Sequence, residues 1–293
     1  MRLPDIEALA ARIVPGSGRI SLRGLSEGPH NVSFEAERER LRYVLRVARD
    51  AASAQSLAFE GLVWQEAYRA DLAPEPIHID PAQGVLLYRW VDGENWTALE
   101  VKSPARIDMA ARLIAKIQTL PIPATPRRLS PADWVSKYRR ELPEEGALEA
   151  SLFRIATGCF ERLALLPKLP EVLAHSDLHR LNLVAPTPAA MPKVLDWEYV
   201  HLTCPYWDLA GWSATNDFDA PARSRLLEAY LERLAGPEER SRLNQLAWLY
   251  DYVCWLWINV HVRLTGSAAS AALAARAELL SMRMQSRAPT MAN

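Results

Sequence analysis

Cysteine is scarce in this chain of 293 residues: Cys159, Cys204 and Cys254 are odd in number, widely separated and form no Cys-x-x-Cys pair. That excludes a disulfide framework, a zinc knuckle and dithiol redox work, and the three thiols read as buried, reduced, small hydrophobes. Charge of one sign is lacking as well. Thirty-four Lys and Arg against 35 Asp and Glu leave a formal net charge of -1. No basic run stands out that would track a phosphate backbone, so nucleic acid is not an expected partner. The longest apolar run, "LAWLYDYVCWLWINVHV", is broken by Asp251, Asn259 and His261 and falls short of a membrane span. The opening "MRLPDIEALAARIVPGSG" carries acids and a proline where a signal peptide has a basic start and an apolar core. Internal repeats and low-complexity segments are missing too. What is present, 49% hydrophobic and 24% charged residues, suits a large core in one domain or two lobes. The expectation is a soluble cytoplasmic protein, monomer or homodimer, with no membrane partner.

The order of patterns predicts an α+β fold. "RISLRGL", "NVSFEAE" and "RYVLRVA" have the alternation of strands, with "SEGPH" as a turn between the first two. "SAQSLAFEGLVWQEAYRAD" reads as an amphipathic helix with Leu57, Gly61, Trp64 and Tyr68 on one side. The Pro-containing "LAPEPIHI" follows, then the apolar strand "GVLLYRWV". Residues 1–92 are thus expected to form a small β-sheet lobe with one helix. Residues 93–285 are expected to form a larger, mainly helical lobe, and 286–293 a disordered tail. In the larger lobe Ser103 is placed as the N-cap and Pro104 as the first residue of a helix ending at Pro121. Five more helices are expected, at about 132–142, 146–166, 220–235, 238–264 and 267–285. The stretch "EVLAHSDLHRLNLVAPTPAAMPKVLDWEYV" between them reads as short strands and turns.

That stretch carries the chemistry. His175, Asp177 and His179 alternate as strand residues do and could grip a metal from one face. They could equally cap a turn through backbone hydrogen bonds. A third reading joins Asp177 to Asn182, five positions on, and Asp196, fourteen further. Phosphoryl transfer needs such a set: one carboxylate for the attacking hydroxyl, then an amide oxygen and a second carboxylate as hard ligands for Mg²⁺.

"HSDLHRLN", "VLDWEYV" and "PYWDLA" together resemble the catalytic core of the aminoglycoside phosphotransferase and choline kinase superfamily, with "DWEY" and "DLA" nearest to its choline, ethanolamine and thiamine kinase branch. The resemblance implies a two-lobed protein-kinase-like fold and a kinase that takes ATP, Mg²⁺ and a small-molecule alcohol. It makes Asp177 the catalytic carboxylate and Asn182 and Asp196 the metal ligands. Glu198 would reach the metal or a substrate amine, or else brace the loop. His175 would support the catalytic loop from below, and Asp208 would hydrogen-bond it. In the small lobe Arg46 stands where protein kinases place a lysine on the nucleotide phosphates, with Glu60 as its partner. Backbone groups from Arg89 to Val91 would meet adenine. The chain departs from the family at the turn "LSEGPHN", where a Gly-rich loop is reduced to Gly28 and Glu27 stands in place of a small residue.

The acceptor is sought on the aromatic helix. Trp248, Asp251, Tyr252, Trp255 and Asn259 recur at three- and four-residue spacing and share a face. Aromatics with a carboxylate are how proteins bind an alkylated ammonium or thiazolium. The competing reading is plain core, against which stands Asp251, costly in an apolar core without a partner. Tyr250, Cys254 and Trp257 on the other face read as packing, and Trp212, Asn216 and Asp217 as a further edge of the pocket. The expected acceptor is a small cationic alcohol of the choline, thiamine or ethanolamine type. An aminoglycoside or sugar phosphotransferase, and a non-catalytic nucleotide-binding protein for which Glu27 speaks, are the alternatives.

Overall fold

The computed structural model describes residues 3–28, 30–142, 146–265 and 268–287. The stretch from 288 onward, most of the expected tail, lies outside them, as does Pro29 in the first turn. The small-lobe sequence forms α1 (Leu3–Ile13), β1 (Ser21–Glu27), β2 (Asn31–Arg38), β3 (Leu41–Ala48), α2 (Ala51–Arg69), β4 (Pro76–Asp80) and β5 (Val85–Arg89). Then come α3 (Pro104–Gln118), α4 (Pro131–Glu141), α5 (Ala147–Ala164), β6 (Val172–Ala174), β7 (Leu183–Val184), β8 (Lys193–Val194) and β9 (His201–Thr203). The chain closes with α6 (Trp207–Thr215), α7 (Ala220–Leu231), α8 (Pro237–Thr265) and α9 (Ala268–Ser286). Two compact units result: one of residues 1–96, 120–126 and 181–200, the other of residues 97–119, 127–180 and 201–293.

In the first unit the strands make one antiparallel sheet in the order β1-β2-β3-β5-β4. Because side chains alternate across a strand, β3 sends Tyr43, Leu45 and Val47 to one face and Val44 and Arg46 to the other. The first set packs with Ile6, Leu9, Ala10 and Val14 in and just beyond α1, a helix the sequence reading did not foresee. Arg38 of β2 ties down the end of α1, donating to the carbonyls of Ala11 and Gly16 at 3.1 and 2.9 Å. The bond to Ala11 satisfies a carbonyl that the helix terminus leaves open, and the bond to Gly16 holds the loop that follows.

The helix α2 starts at Asp50, whose carboxylate accepts from the Ser53 amide at 2.7 Å. Its buried face is Leu57, Glu60, Gly61, Val63, Trp64 and Ala67, while the expected Tyr68 stays 44% exposed. Gly61 permits close approach: a Cβ there would lie 2.7 Å from Ile79 of β4. Trp64 donates to the Pro74 carbonyl at 2.9 Å, so its polar edge is satisfied and its burial contributes about 3 kcal/mol. The Pro-containing stretch "LAPEPIHI" leads into β4, an edge strand, where a proline costs no central ladder bond.

The second unit is helical around α8, which packs against α9, α6, α4 and α5. Beyond its exposed first turns, α8 is buried or half-buried from Gln245 to His261, with Asp251 and His261 among the apolar residues there. The six helices expected in this part are found, and α6, not expected, is added; it is buried from Trp207 to Ala214 and so carries no polar stripe to betray its period. Pro104 opens α3 as expected, but the Ser103 side chain makes no capping hydrogen bond. Ser130 and Asp133 form a capping box at α4.

Candidate active site

Within the first unit the short hairpin β7–β8 brings two candidate ligands level. Leu183 pairs with Val194, and the Asn182 carbonyl accepts from the Leu195 amide at 2.8 Å, so Asn182 and Asp196 come to the same end of the hairpin. Asp196 stands at φ 60°, in the left-handed region that a non-glycine residue occupies at some cost, a feature that concentrates at functional sites. Its carboxylate accepts from Arg46 Nη1 at 2.8 Å. The other arm of Arg46 meets Glu60 of α2, and both members of this pair are buried.

Burial alone would lower the Arg46 pKa, but the carboxylates of Glu60 and Asp196, with Glu198 further off, outweigh it and raise it. One guanidinium therefore faces three carboxylates. The surplus negative charge, and the oxygen-only donors of Asn182 and Asp196, fit a hard divalent cation such as magnesium. Among the described residues no three His, Cys, Asp or Glu side chains are placed to hold a metal together. The sequence alternative that groups His175, Asp177 and His179 as ligands is thus not a metal site in this structure.

The turn before β2 meets the same loop: Asn31 Nδ2 donates to Glu198, and the His30 and Tyr199 rings lie edge-on at 6.2 Å. Asn31 was not singled out from the sequence, because nothing local marks a contact 167 residues away. Glu27 does not point inward. Its side chain is 80% exposed and pairs with Arg49 at 3.2 Å, while Arg49 Nε also holds the Gly28 carbonyl at 2.7 Å. Along the expected adenine-binding stretch, the Arg89 amide donates to the Glu75 carbonyl and the Trp90 amide to the Arg42 carbonyl, so neither is spare.

In the second unit Asp177 follows β6 in a loop fixed from several sides. The buried Asp208, at the start of α6, accepts from the His175 and Ser176 amides, both at 2.8 Å. Burial pushes its carboxyl up to about 6; the two backbone bonds pull down and the Asp177 charge pushes further up. The fully buried His175 turns Nδ1 toward the Asp177 amide at 3.4 Å. His201 Nδ1 lies 3.2 Å from the Ser176 hydroxyl. The Asp177 carboxylate is one-third exposed, with His179 Nε2 at 3.6 Å.

The aromatic face of α8 is engaged in packing. Trp248 donates to the Met284 carbonyl of α9 at 3.0 Å, and Tyr252 donates to Glu149 of α5 at 3.1 Å. Trp255 stacks on Tyr252 with ring centroids 6.2 Å apart, and Trp212 of α6 is fully buried. Asp251, the residue that weighed against a plain core, has a partner in Arg283 of α9, which also approaches Asp217 at 3.7 Å. The argument from an unpartnered carboxylate does not stand. Sequence spacing identified the face but not what covers it. The opposite face differs too: Tyr250, read as packing, donates to the Ser176 carbonyl at 3.2 Å.

An antiparallel sheet with a buried Arg–Glu pair, followed by a helical unit that presents a clamped Asp-bearing loop, defines the class of small-molecule phosphotransferases. The chain belongs to the phosphotransferase enzyme family, whose profile matches residues 21–245. At the level of sequence alone no curated protein matches it. Among solved structures it is similar to a choline/ethanolamine kinase family protein from Mesorhizobium loti (TM-score 0.79, 24% identity, 99% of this chain and 96% of that one). It is also similar to choline kinase LicA from Streptococcus pneumoniae (TM-score 0.75, 17% identity, 96% and 98%). A microcompartment-associated aminopropanol kinase gives a TM-score of 0.73 at 20% identity, over 98% and 99%. Likeness at such identities establishes the two-lobed protein-kinase-like fold. The enzyme is a phosphotransferase with an alcohol group as acceptor.

Proposed function

We propose that the protein is an ATP- and Mg²⁺-dependent kinase that phosphorylates the hydroxyl of a small cationic alcohol. The observation that carries the kinase reading is Arg46, bonded at once to Glu60 and to Asp196. A cation with two carboxylate partners on different elements is held in place for phosphate at low entropic cost. In this reading Arg46 meets the nucleotide phosphates, and the Val91 amide serves adenine, the amides of Arg89 and Trp90 being committed. Gly28 allows the chain to pass near phosphate. Asn182 and Asp196 would hold a magnesium ion, which would neutralise charge on the phosphates.

Asp177 orients the acceptor hydroxyl and takes its proton as the oxygen bonds to the terminal phosphorus of ATP and the bond to ADP breaks. The rate enhancement comes mainly from positioning and electrostatics. His175 and Asp208 act on Asp177 through the backbone they hold. Glu198, fixed by Asn31, is left facing a metal or an amine. The cationic acceptor is supported by the choline, ethanolamine and aminopropanol kinases among the structural neighbours. A cytoplasmic enzyme fits an ATP-using kinase, and among the described residues no helix is long and apolar enough to cross a membrane.

The test is ADP release with Mg²⁺ and ATP across ethanolamine, choline, thiamine, aminopropanol, kanamycin and simple sugars. Turnover with one amino or ammonium alcohol, reduced about a thousandfold in Asp177→Ala, is expected. Turnover only with kanamycin or a sugar would overturn the acceptor class. Nucleotide binding without turnover on any of them would remove the kinase reading.

A further inference from the structure

Ser176, the residue ahead of Asp177, stands at φ 69°. A non-glycine residue keeps that conformation only where its surroundings over-determine it. Asp208 holds the amide of Ser176, and His175 faces the amide of Asp177 at a long 3.4 Å. The carbonyl between them is held from α8, by the Tyr250 hydroxyl at 3.2 Å.

The Tyr250 ring is buried and lies against Trp207 of α6 with centroids 5.1 Å apart. Beneath it is Gly211, where a Cβ would come within 2.7 Å of the ring carbon Cε2. Burial, with the nearby Cys254, Asp177 and Asp208, keeps the phenol protonated far above its ordinary range, so it stays a donor at any assay pH. A peptide unit gripped only at its N–H can still swing its carbonyl, and a swing at this unit carries the Asp177 side chain with it.

We propose that Tyr250 is a positioning residue of the phosphoryl transfer: it fixes the Ser176–Asp177 peptide from the carbonyl side, and Gly211 makes the space that its ring requires. The proposal rests on the reading of Asp177 as the catalytic carboxylate. A displacement of about 1 Å in such a group costs on the order of a hundredfold in rate, so a single hydrogen bond to its backbone is enough to matter.

The test uses the full chain with Tyr250→Phe, which keeps the ring, and Gly211→Ala, which displaces it. Two readouts are taken. One is kcat and the KM for ATP in ADP release with the acceptors above. The other is amide hydrogen exchange of residues 175–178 without any acceptor. Both variants are expected to lose about ten- to a hundredfold in kcat with the KM for ATP within about twofold. Exchange of the loop amides is expected to quicken about tenfold or more, while the rest of the chain keeps its wild-type pattern. Unchanged kcat overturns the proposal, and so does a lower kcat with unchanged loop exchange. If the wild-type chain releases no ADP with any acceptor, the kinase reading has failed instead. Exchange alone then decides the clamp: faster exchange of the loop in Tyr250→Phe supports it, and wild-type exchange overturns it.

Discussion

Asp208 holds two backbone amides with one buried carboxylate, and its titration couples stability and activity in opposite directions. Between its ordinary value near 3.8 and about 6 the folded chain keeps a proton that the unfolded chain has released. The stability this group supplies is therefore greatest at acid pH, falls as pH rises through that window and is level above it. Two pKa units correspond to about 3 kcal/mol. Turnover runs the other way, because the protonated carboxyl turns one acceptor oxygen into a donor and releases an amide of the loop. The pH profile of kcat is expected to show an acid limb near 6, and Asp208→Asn to lower kcat across the range while removing both the limb and the stability slope. Glu27 is the contrasting residue. Exposed and paired with Arg49, it should matter little: Glu27→Ala is expected to leave the KM for ATP within about twofold and stability within about 0.5 kcal/mol.

Helices α8 and α9 show how an element can mislead when its partner is far along the chain. The stripe of Trp248, Asp251, Tyr252 and Trp255 has the spacing of a binding face, and spacing was legible. Its cover, α9 with Met284 and Arg283, lies more than thirty residues on and bears no mark of pairing. Asp251 is held up to about 6 by burial, against the pull of Arg283, so it is anionic and bonded at neutral pH. Asp251→Ala leaves the Arg283 guanidinium without its nearest partner. A loss of about 3 kcal/mol in urea unfolding is expected, with an unchanged KM for ATP. If instead stability held and only the KM for the acceptor rose, Asp251 would be a substrate contact after all. The N-terminal sheet was more legible, since β2 and β3 alternate cleanly, but α1 lay hidden because its apolar residues acquire meaning only against the face of the sheet they cover.

For the molecule as a whole, the consequence of the proposed function is linkage between ligand and stability. Mg²⁺·ATP at a hundred times its dissociation constant should stabilise the chain by about 2.7 kcal/mol, read as a rise in Tm. The rise should be lost on chelation of the metal and in Arg46→Ala, and retained in Asp177→Ala, whose carboxylate serves the acceptor in the proposed function. A rise that survives in Arg46→Ala would remove this residue from the phosphate site. Family membership is a statement at this scale too, since it covers most of both units.

The sequence by itself determined the class of chemistry: Asp177, Asn182 and Asp196 fall in one stretch, and the resemblance carried by "HSDLHRLN", "VLDWEYV" and "PYWDLA" chose among the readings that their spacing left open. It also determined the helices described in the second unit other than α6, because their periods are local. Only the tertiary structure decided that Arg46, beyond its expected partner Glu60, also meets Asp196, that Asn31 meets Glu198, that Tyr250 reaches Ser176 and that the aromatic face of α8 is covered. Each of these joins residues distant in sequence, and such pairs are chosen by which faces bury together, a property of the folded chain that no window of sequence contains.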